Sequence, residues 1–415
     1  MKRYVIIGNG VAAAGAIEGI RRADRDGAIT VVSAENHGVY CRPLISYYLE
    51  GKTELERMRY RPRDFYERNG CTVLYGKRAV RLDTGLKTVL LDDGAALPYD
   101  SLCVAAGSAP FVPKFEGIET VKEQHSFMTL DDTLALERAV SGDSRVLIVG
   151  AGLIGLKCAE GLQDRVKSVT ICDLAERVLP SILDSDAAAL VQRRLEAAGM
   201  RFLLGDSAAR FDKTTALMKS GRTVEFDVLV LAVGVRPNTE LVKAAGGAVN
   251  RGIVTGAGME TTLADIYAAG DCAECFDVSS GTSKVLAIFP NAYMQGRCAG
   301  ENMAGGHAVF DCGMPMNSIG FFGLHVMTAG SYPNEAEGGA VYEERGGDTL
   351  KRLYVKDGRL KGFILVGCID RAGIYTRLIR EQTPLDTMDF ALLRESPALF
   401  PLGSDYRKRT LGGVV

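Results

Sequence analysis

The chain has 415 residues, 47% hydrophobic and 24% charged, which are values of a globular protein and exclude a disordered or fibrous one. A chain of this length corresponds to roughly two to three domains. The 49 lysines and arginines nearly balance the 51 aspartates and glutamates, so a net charge of -2 provides no field that would favour nucleic acid or an anionic membrane.

The apolar segments and the cysteines indicate a protein without membrane spans in a reducing compartment. The longest apolar runs, such as residues 228–235, are far shorter than the ~18 residues that cross a bilayer. The N-terminal apolar stretch is interrupted at Gly8 and Gly10 and followed by Glu18, so it predicts a strand and a helix rather than a signal peptide. The 10 cysteines are spread singly, unlike a secreted disulfide framework. We therefore expect a cytoplasmic protein.

Short buried runs alternate with helical stretches along the first half of the chain. A strand, a helix and a second strand are predicted at residues 3–7, 12–22 and 29–33. The same order returns at residues 145–149, 153–162 and 168–172. Alternating strands and helices predict parallel sheets that are covered by helices on both faces.

Two stretches of the chain are repeated within it. Gly8-Asn9-Gly10 returns as Gly150-Ala151-Gly152, and residues 99–110 match residues 226–237 without a gap. Each pair brackets one nucleotide-binding unit, so we expect two related dinucleotide-binding domains.

The pattern changes from about residue 310. Residues 349–355 and 360–367 predict antiparallel strands joined by a turn at Lys356-Asp357-Gly358, because Asp-Gly is a strong hairpin signal. The expected fold class is therefore α/β, with two Rossmann-like dinucleotide-binding domains and a C-terminal α+β domain.

The first dinucleotide fingerprint is Gly8-Asn9-Gly10-Val11-Ala12-Ala13, between a predicted strand and a predicted helix. Gly8 permits the tight turn, Gly10 lets the backbone approach a pyrophosphate, and Ala13 takes the third position of the pattern. The pyrophosphate would lie on the helix-terminal N–H groups. Glu35 follows the next strand, where a carboxylate accepts hydrogen bonds from an adenosine ribose.

The second fingerprint is Gly150-Ala151-Gly152-Leu153-Ile154-Gly155, with all three glycines present. Its acid is Asp173, which favours the free 2′-hydroxyl of NADH and repels the 2′-phosphate of NADPH. Arg177 lies nearby and could soften that preference. We expect NADH rather than NADPH.

Two dinucleotide sites in one chain indicate electron transfer between two dinucleotides, and one should be a flavin because two nicotinamides would have no resident carrier. Together with Tyr267-Ala268-Ala269-Gly270-Asp271-Cys272, these motifs resemble the two-dinucleotide-binding-domain flavoproteins over roughly residues 1–330. That group includes the pyridine nucleotide–disulfide oxidoreductases and the rubredoxin and ferredoxin reductases. The resemblance implies FAD on the first fingerprint and NADH on the second.

The resemblance also implies domain boundaries and further FAD contacts. The FAD domain would be discontinuous, residues 1–114 and 245–309, around an NAD(H) domain at 115–244, with the C-terminal domain at 310–415. Asp271 would bind the flavin ribityl chain, and Asn291 and Ala292 would begin a helix that faces the flavin pyrimidine. The elements that connect the domains would place three further residues at the cofactors: Ala106 and Gly107 at FAD, and Gly234 at NAD.

The segment Tyr40-Cys41-Arg42-Pro43-Leu44-Ile45-Ser46 resembles the Tyr-x-Arg-Pro-x-x-Ser segment of the rubredoxin and ferredoxin reductase branch. Arg42, with Pro43 beside it, would then pair with the FAD pyrophosphate, which suits a guanidinium fork. The Cys-x4-Cys and His-x4-Glu pairs of disulfide reductases do not occur in the sequence. Cys41 could still face the flavin as a redox thiol, as in the NADH oxidase and CoA-disulfide reductase branch; the alternative, which its position favours, is a packing role.

Ferredoxin reductases of this kind often carry a Lys–Glu ion pair beside the flavin, and this chain departs from that pattern. Tyr47 occupies the position of the Lys, and Lys157 occupies that of the Glu. Our hypothesis is that Lys157 reaches the flavin edge and stabilises negative charge there. The alternative is a lysine that points into solvent.

The function implied by the resemblance is an FAD-dependent NADH oxidoreductase that passes electrons to a redox protein or an iron–sulfur partner subunit. An NADH oxidase or a CoA-disulfide or persulfide reductase using Cys41 is the alternative, and a flavin-binding subunit without turnover is a third. An arginine cluster at 57, 59, 61 and 63 could steer an acidic carrier, or could simply be solvated. We expect a homodimer or a hetero-complex, no nucleic acid, and no metal site, since the four histidines lack metal-ligand spacing.

Overall fold

The computed structural model describes residues 1–404 and 407–408 of the chain. The strands in chain order are β1 (Arg3–Ile7), β2 (Ala28–Ser33), β3 (Cys71–Tyr75), β4 (Ala79–Asp83), β5 (Thr88–Leu91), β6 (Ala96–Pro98), β7 (Ser101–Val104), β8 (Ser108–Pro110), β9 (Gln124–His125), β10 (Arg145–Val149), β11 (Ser168–Asp173), β12 (Arg201–Leu204), β13 (Ala208–Asp212), β14 (Thr215–Met218), β15 (Thr223–Glu225), β16 (Val228–Leu231), β17 (Val235–Pro237), β18 (Ile266–Ala268), β19 (Glu274–Asp277), β20 (Thr282–Val285), β21 (Met316–Phe321), β22 (Leu324–Gly330), β23 (Ala340–Gly346), β24 (Thr349–Lys356) and β25 (Arg359–Val366). The α-helices are α1 (Val11–Ala23), α2 (Ile45–Leu49), α3 (Phe65–Arg68), α4 (Leu130–Ala139), α5 (Leu153–Leu162), α6 (Ser185–Ala197), α7 (Glu240–Ala244), α8 (Phe289–Met303), α9 (Ala372–Arg380) and α10 (Phe390–Glu395). Within the described ranges, no helix combines the length and apolar character that a bilayer crossing requires.

The first sheet is parallel and has the order β18-β7-β1-β2-β3. Its central strand β1 is buried along Tyr4–Ile7 and pairs with β2 and β7, as a strand covered on both faces should be. The sheet joins the first part of the chain to β18, more than 160 residues beyond β7. Helices α1 and α8 pack directly against each other on one side of it.

The second sheet is also parallel, with the order β12-β11-β10-β16-β9. The predicted strand at 145–149 and helix at 153–162 are confirmed at the same residues, as β10 and α5. The buried side of α5 carries Leu156, Cys158, Ala159 and Leu162, all without exposed surface. The expectation of two Rossmann-like units is therefore confirmed.

The internal repeat has a structural counterpart in both units. A three-stranded sheet, β4-β5-β6 in the first and β13-β14-β15 in the second, precedes the strands β7 and β16. The ends of the two repeats then pair with each other, because β8 and β17 form an antiparallel ribbon with Arg236 opposite Ala109. The Arg236 guanidinium lies 4.0 Å from the centre of the Phe111 ring, which adds a cation–π contact to the ribbon.

The C-terminal sheet is antiparallel, with the order β21-β22-β25-β24-β23. The predicted hairpin is confirmed: β24 and β25 pair around Asp357 and Gly358, both at positive φ, as a two-residue hairpin turn requires. Helix α9 covers one face through Tyr375, Leu378 and Ile379. The α+β character of this region is therefore confirmed.

The contact between α1 and α8 yields a stability prediction. A Cβ on Gly296 would lie 1.9 Å from the Ala12 carbonyl oxygen, so the two backbones would have to separate. We expect Gly296→Ala to lower the urea midpoint of unfolding, by a free energy of about 1–3 kcal/mol or more, as overpacking does. The control is Gly373→Ala in α9, where a Cβ meets no heavy atom of the described chain within 4 Å. That variant should leave the midpoint unchanged or raise it, and equal midpoints for both variants would contradict the close packing.

Candidate dinucleotide sites

The first glycine turn lies between β1 and α1. Gly8 has φ 110°, and a Cβ there would be 2.1 Å from the Ala105 carbonyl oxygen. A Cβ on Gly10 would meet no described heavy atom within 4 Å, so open space adjoins the backbone at the start of the helix. Ala13 is completely buried, which gives it a packing role at the third position of the fingerprint. The turn therefore has the tight bend and the open backbone that a pyrophosphate needs.

Glu35 follows β2 and is held by two side chains of the next segment. The Tyr40 hydroxyl donates to Glu35 Oε2 at 2.7 Å, and Arg42 Nη2 donates to Oε1 at 3.2 Å. Each carboxylate oxygen keeps a second acceptor site. Glu35 is thus fixed in place and can still accept hydrogen bonds from a ribose.

Asp271 follows β18, and Ser108 Oγ donates to its carboxylate at 3.3 Å. Burial raises the pKa of Asp271, and the positive charge of Arg42 opposes that rise. Arg42 therefore acts on both carboxylates, by contact on Glu35 and through its field on Asp271. Glu35 and Asp271 are the acids predicted to bind the adenosine ribose and the ribityl chain of FAD. A guanidinium group that acts on both of them suits the negative charge of the pyrophosphate that joins these two parts of the cofactor.

Three of the other predicted FAD residues lie outside the helices α1–α10, and two lie inside α8. Gly107 has φ 63°, and a Cβ there would meet no heavy atom of the described residues within 4 Å. Its neighbour Ala106 is half-buried, and Pro43 is exposed in a short 3₁₀ turn. Asn291 and Ala292 are buried in the first turn of α8, and Asn291 Nδ2 donates to the Met314 carbonyl at 3.0 Å. One of the two side-chain amide hydrogens of Asn291 is therefore used within the protein.

The second glycine turn lies between β10 and α5 and reproduces the first. Gly150 has φ 119°, and a Cβ there would be 2.3 Å from the Ala232 carbonyl oxygen. Neither Gly152 nor Gly234 would bring a Cβ within 4 Å of any described heavy atom. Gly155 is packed against the Gly150 carbonyl, while Ile154 is half-buried beside it. This turn also fits a dinucleotide.

Asp173 ends β11, and backbone N–H groups hold its carboxylate. Ala151 N donates to Oδ2 at 2.7 Å and Ala175 N to Oδ1 at 2.8 Å, so the acid is fixed to the fingerprint loop. Arg177 donates to the carbonyls of Leu183 and Pro180. Its guanidinium is engaged by the protein itself, which agrees with a site for a free 2′-hydroxyl rather than a 2′-phosphate.

Lys157 does not point into solvent. Its ammonium pairs with Glu160, donates to the Gly320 carbonyl at 3.3 Å, and lies 4.9 Å from the centre of the Tyr47 ring. Glu160, buried on the same helix, also accepts from Phe322 N at 2.9 Å. Glu160 was not predicted from the sequence, although its spacing of three residues from Lys157 on a helix was a usable signal.

Cys41 is half-buried, and its N–H donates to the Met58 carbonyl at 2.7 Å. Burial raises the pKa of the Cys41 thiol, which disfavours the thiolate that redox chemistry needs. All 10 cysteines are free thiols. Among the residues described, no cluster of three or more His, Cys, Asp or Glu side chains has the geometry of a metal site.

Three carboxylates offset most of the charge of the four arginines in the cluster. Arg59 and Arg63 both pair with Glu56, at 2.9 and 2.7 Å, and Arg61 pairs with Glu18 at 2.6 Å. Arg57 pairs with Glu54. The structure therefore favours a solvated, paired surface over a cationic docking patch.

Comparison with known proteins agrees with this geometry. A family model described as pyridine nucleotide-disulphide oxidoreductase matches residues 2–296. The NADH-dependent phenylglyoxylate dehydrogenase subunit epsilon of Aromatoleum evansii is 34% identical over 394 residues, which is 92% of this chain and 92% of that protein. The assimilatory nitrate reductase electron transfer subunit of Bacillus subtilis is 32% identical over 88% of this chain, which spans only 48% of that relative's length. The crystal structure of a covalent putidaredoxin reductase–putidaredoxin complex contains a chain that superposes with a TM-score of 0.86 and 25% identity, over 95% of this chain and 96% of that one.

The position of Asp173 yields a prediction on nucleotide preference. We expect Asp173→Ala to lower kcat/KM for NADH by about 10- to 100-fold, the size of a lost hydrogen bond to a charged group, and to narrow the ratio of NADH to NADPH activity. The control is Arg177→Ala, which should leave that ratio unchanged because Arg177 is engaged with backbone carbonyls. Steady-state kinetics with both nucleotides measures the ratio, and the same ratio in Asp173→Ala and the wild type would contradict the assignment.

Proposed function

The chain belongs to the pyridine nucleotide-disulphide oxidoreductase family, and from that membership we propose that it takes hydride from NADH onto FAD and passes the electrons to a separate iron–sulfur or rubredoxin-type protein. The observation that carries the proposal is the pair of glycine turns, each with its own fixed carboxylate, Glu35 and Asp173. Two such sites in one chain serve two dinucleotides, and their family uses FAD and a nicotinamide.

The chain's residues have separate roles in this proposal. The turn at Gly8 and Gly10 would receive the FAD pyrophosphate, Arg42 would offset part of its negative charge, and Glu35 and Asp271 would hold the adenosine ribose and the ribityl chain. The turn at Gly150 and Gly152, with Asp173, receives NADH. When bound, FAD supplies a hydride acceptor that can release electrons one or two at a time. The protein's contribution is to hold the two nucleotides in register and to set the charge around them.

The proposal includes the domain arrangement and the location. We assign FAD to residues 1–114 and 245–309 and NADH to residues 115–244, with residues 310–415 as the C-terminal domain. The sheet that joins β7 to β18 supports the discontinuous FAD domain. We place the protein in the cytoplasm, which the 10 free thiols support.

The acceptor is proposed to be a redox protein or a partner subunit. One relative that matches over nearly its whole length is named as a subunit of an NADH-dependent dehydrogenase, another as an electron transfer subunit. The superposed reductase was crystallised with putidaredoxin. The functions named for these proteins support the proposal that this chain works within a complex or with a docked electron carrier. Half-burial, which raises the pKa of the Cys41 thiol, supports the same choice over a thiol-dependent oxidase or disulfide reductase.

Replacement of Cys41 tests the choice of acceptor chemistry. We expect Cys41→Ser to retain NADH turnover with an iron–sulfur acceptor within about two-fold, because the thiol takes no part in the reaction. The variant is compared with the wild type in assays with ferredoxin, rubredoxin, oxygen, CoA disulfide and a persulfide. Loss of turnover in the variant, together with wild-type activity on a disulfide or persulfide, would instead establish the Cys41-dependent alternative.

Replacement of Lys157 tests its proposed place beside the flavin. A nearby ammonium stabilises electron-rich flavin, so we expect Lys157→Met to slow hydride transfer about 10-fold and to lower the two-electron potential by about 30 mV. The double variant Lys157→Met/Glu160→Gln avoids leaving a buried carboxylate without its partner. Because it removes a negative charge together with the positive one, it should lower the potential by less than Lys157→Met alone. Stopped-flow absorbance and equilibrium redox titration provide the two measurements, and wild-type values for both would contradict the role.

A further inference from the structure

The Tyr40 hydroxyl connects the first acid to helix α4. Its oxygen lies 2.7 Å from Glu35 Oε2 and 3.0 Å from the backbone nitrogen of Leu130. An N–H group can only donate, so the Tyr40 oxygen accepts from Leu130, and its own proton is directed to the carboxylate. Burial raises the pKa of Tyr40, so the phenol keeps that proton. One hydroxyl thus fixes both Glu35 and the start of α4.

Leu130 N–H is a helix-terminal donor that its own segment does not satisfy. The first amides of a helix have no intrahelical acceptor. In α4 a capping box serves the neighbours: Thr129 Oγ1 accepts from Asp132 N, and Asp132 Oδ2 accepts from the amides of Thr129 and Met128. The Leu130 amide is served from outside, by Tyr40. A helix start therefore depends on a residue 90 positions earlier in the chain.

The surrounding contacts attach α4 to the same segment along its length. His37 Nε2 lies 2.7 Å from Asp131 Oδ1, and the Tyr48 hydroxyl donates to Glu137 Oε2 at 2.9 Å. Ile45 and Leu49 belong to the same buried apolar cluster as Leu130 and Leu136. These contacts explain why α4 is docked, but among them Tyr40 is the residue that also touches Glu35.

We propose that Tyr40 is a positioning residue that couples cofactor binding at Glu35 to the docking of helix α4. The proposal rests on the proposed function, since it takes Glu35 as the acid that holds the FAD adenosine ribose. Tyr40 orients the Glu35 carboxylate, and the docked helix α4 in turn orients Tyr40. By linkage, FAD that binds to the aimed carboxylate stabilises the docked helix by the same factor.

The experiment compares FAD affinity and hydrogen exchange in apoprotein and holoprotein. In the wild type, FAD should slow amide exchange in peptides that cover the start of α4. Tyr40→Phe keeps the ring and removes the hydroxyl; it should raise the Kd of FAD about 10-fold, the effect of losing a hydrogen bond to a charged group. In that variant, FAD should no longer slow exchange at α4. Flavin fluorescence quenching during reconstitution gives the Kd without any activity assay.

Asp131→Asn loosens α4 without touching Tyr40. It removes the carboxylate charge beside His37 and leaves the contact between Tyr40 and Glu35 in place. Exchange at the start of α4 should become faster in this variant, and the Kd of FAD should rise with it, because coupling between helix docking and FAD binding is reciprocal. In the Tyr40→Phe background the same replacement should no longer change the Kd. Faster exchange at α4 with an unchanged Kd of FAD in the single variant would overturn the coupling.

Glu35→Gln separates the further inference from the proposed function. If this variant binds FAD as tightly as the wild type, the assignment of Glu35 fails, and the inference fails with it. If Glu35→Gln raises the Kd of FAD while Tyr40→Phe does not, the assignment stands and the coupling is overturned.

The double variant Tyr40→Phe/Glu35→Gln tests whether Tyr40 acts through Glu35. In this variant the tyrosine replacement should raise the Kd of FAD little further; fully additive effects on the Kd would show that Tyr40 acts independently of Glu35. Wild-type exchange at α4 that FAD does not change would overturn the coupling without any variant.

Discussion

The structure depends on two strand-to-helix turns in which the backbone leaves no room for a side chain. At Gly8 and Gly150 a Cβ would lie 2.1 and 2.3 Å from the carbonyl oxygen of a neighbouring strand end. Ala105 therefore packs against the first turn and Ala232 against the second. At Gly10 and Gly152, where α1 and α5 begin, a Cβ would meet no described heavy atom within 4 Å, so the first amides of both helices face open space. The same constraint, met twice, gives one chain two places for a dinucleotide phosphate.

The two acids that follow these turns are held by different means. Side chains of the next segment, Tyr40 and Arg42, hold Glu35, whereas backbone amides of its own loops hold Asp173. Because the Tyr40 hydroxyl also accepts from Leu130 N, the first site is tied to helix α4, whereas the second acid is held by backbone amides of its own dinucleotide-binding unit. That difference suits a cofactor that stays with the protein at the first site and a substrate that exchanges at the second.

The sequence predicted the parts of the fold that depend on short-range pattern. Strands β1 and β10 and helix α5 appear at the predicted residues, because apolar periodicity and glycine turns act within a few positions. Helix α10 was missed, since residues 390–395 show no clear period among nearby prolines and polar residues. Contacts between distant residues were also missed. Glu160 lies next to Lys157 in the fold, but its pairing with Phe322 N depends on the hairpin between β21 and β22, more than 150 residues later. Likewise, nothing in the sequence near Tyr40 indicates Leu130 as its partner.

The central claim is that a single flavin is the redox centre between NADH and an external acceptor. An anaerobic titration of the purified holoprotein with NADH, followed by absorbance, tests it most directly. We expect one equivalent of NADH per chain to bleach the flavin completely, with no change in any thiol. A requirement for two equivalents, with long-wavelength absorbance from a thiolate beside the flavin, would contradict it and would make a cysteine a second redox centre.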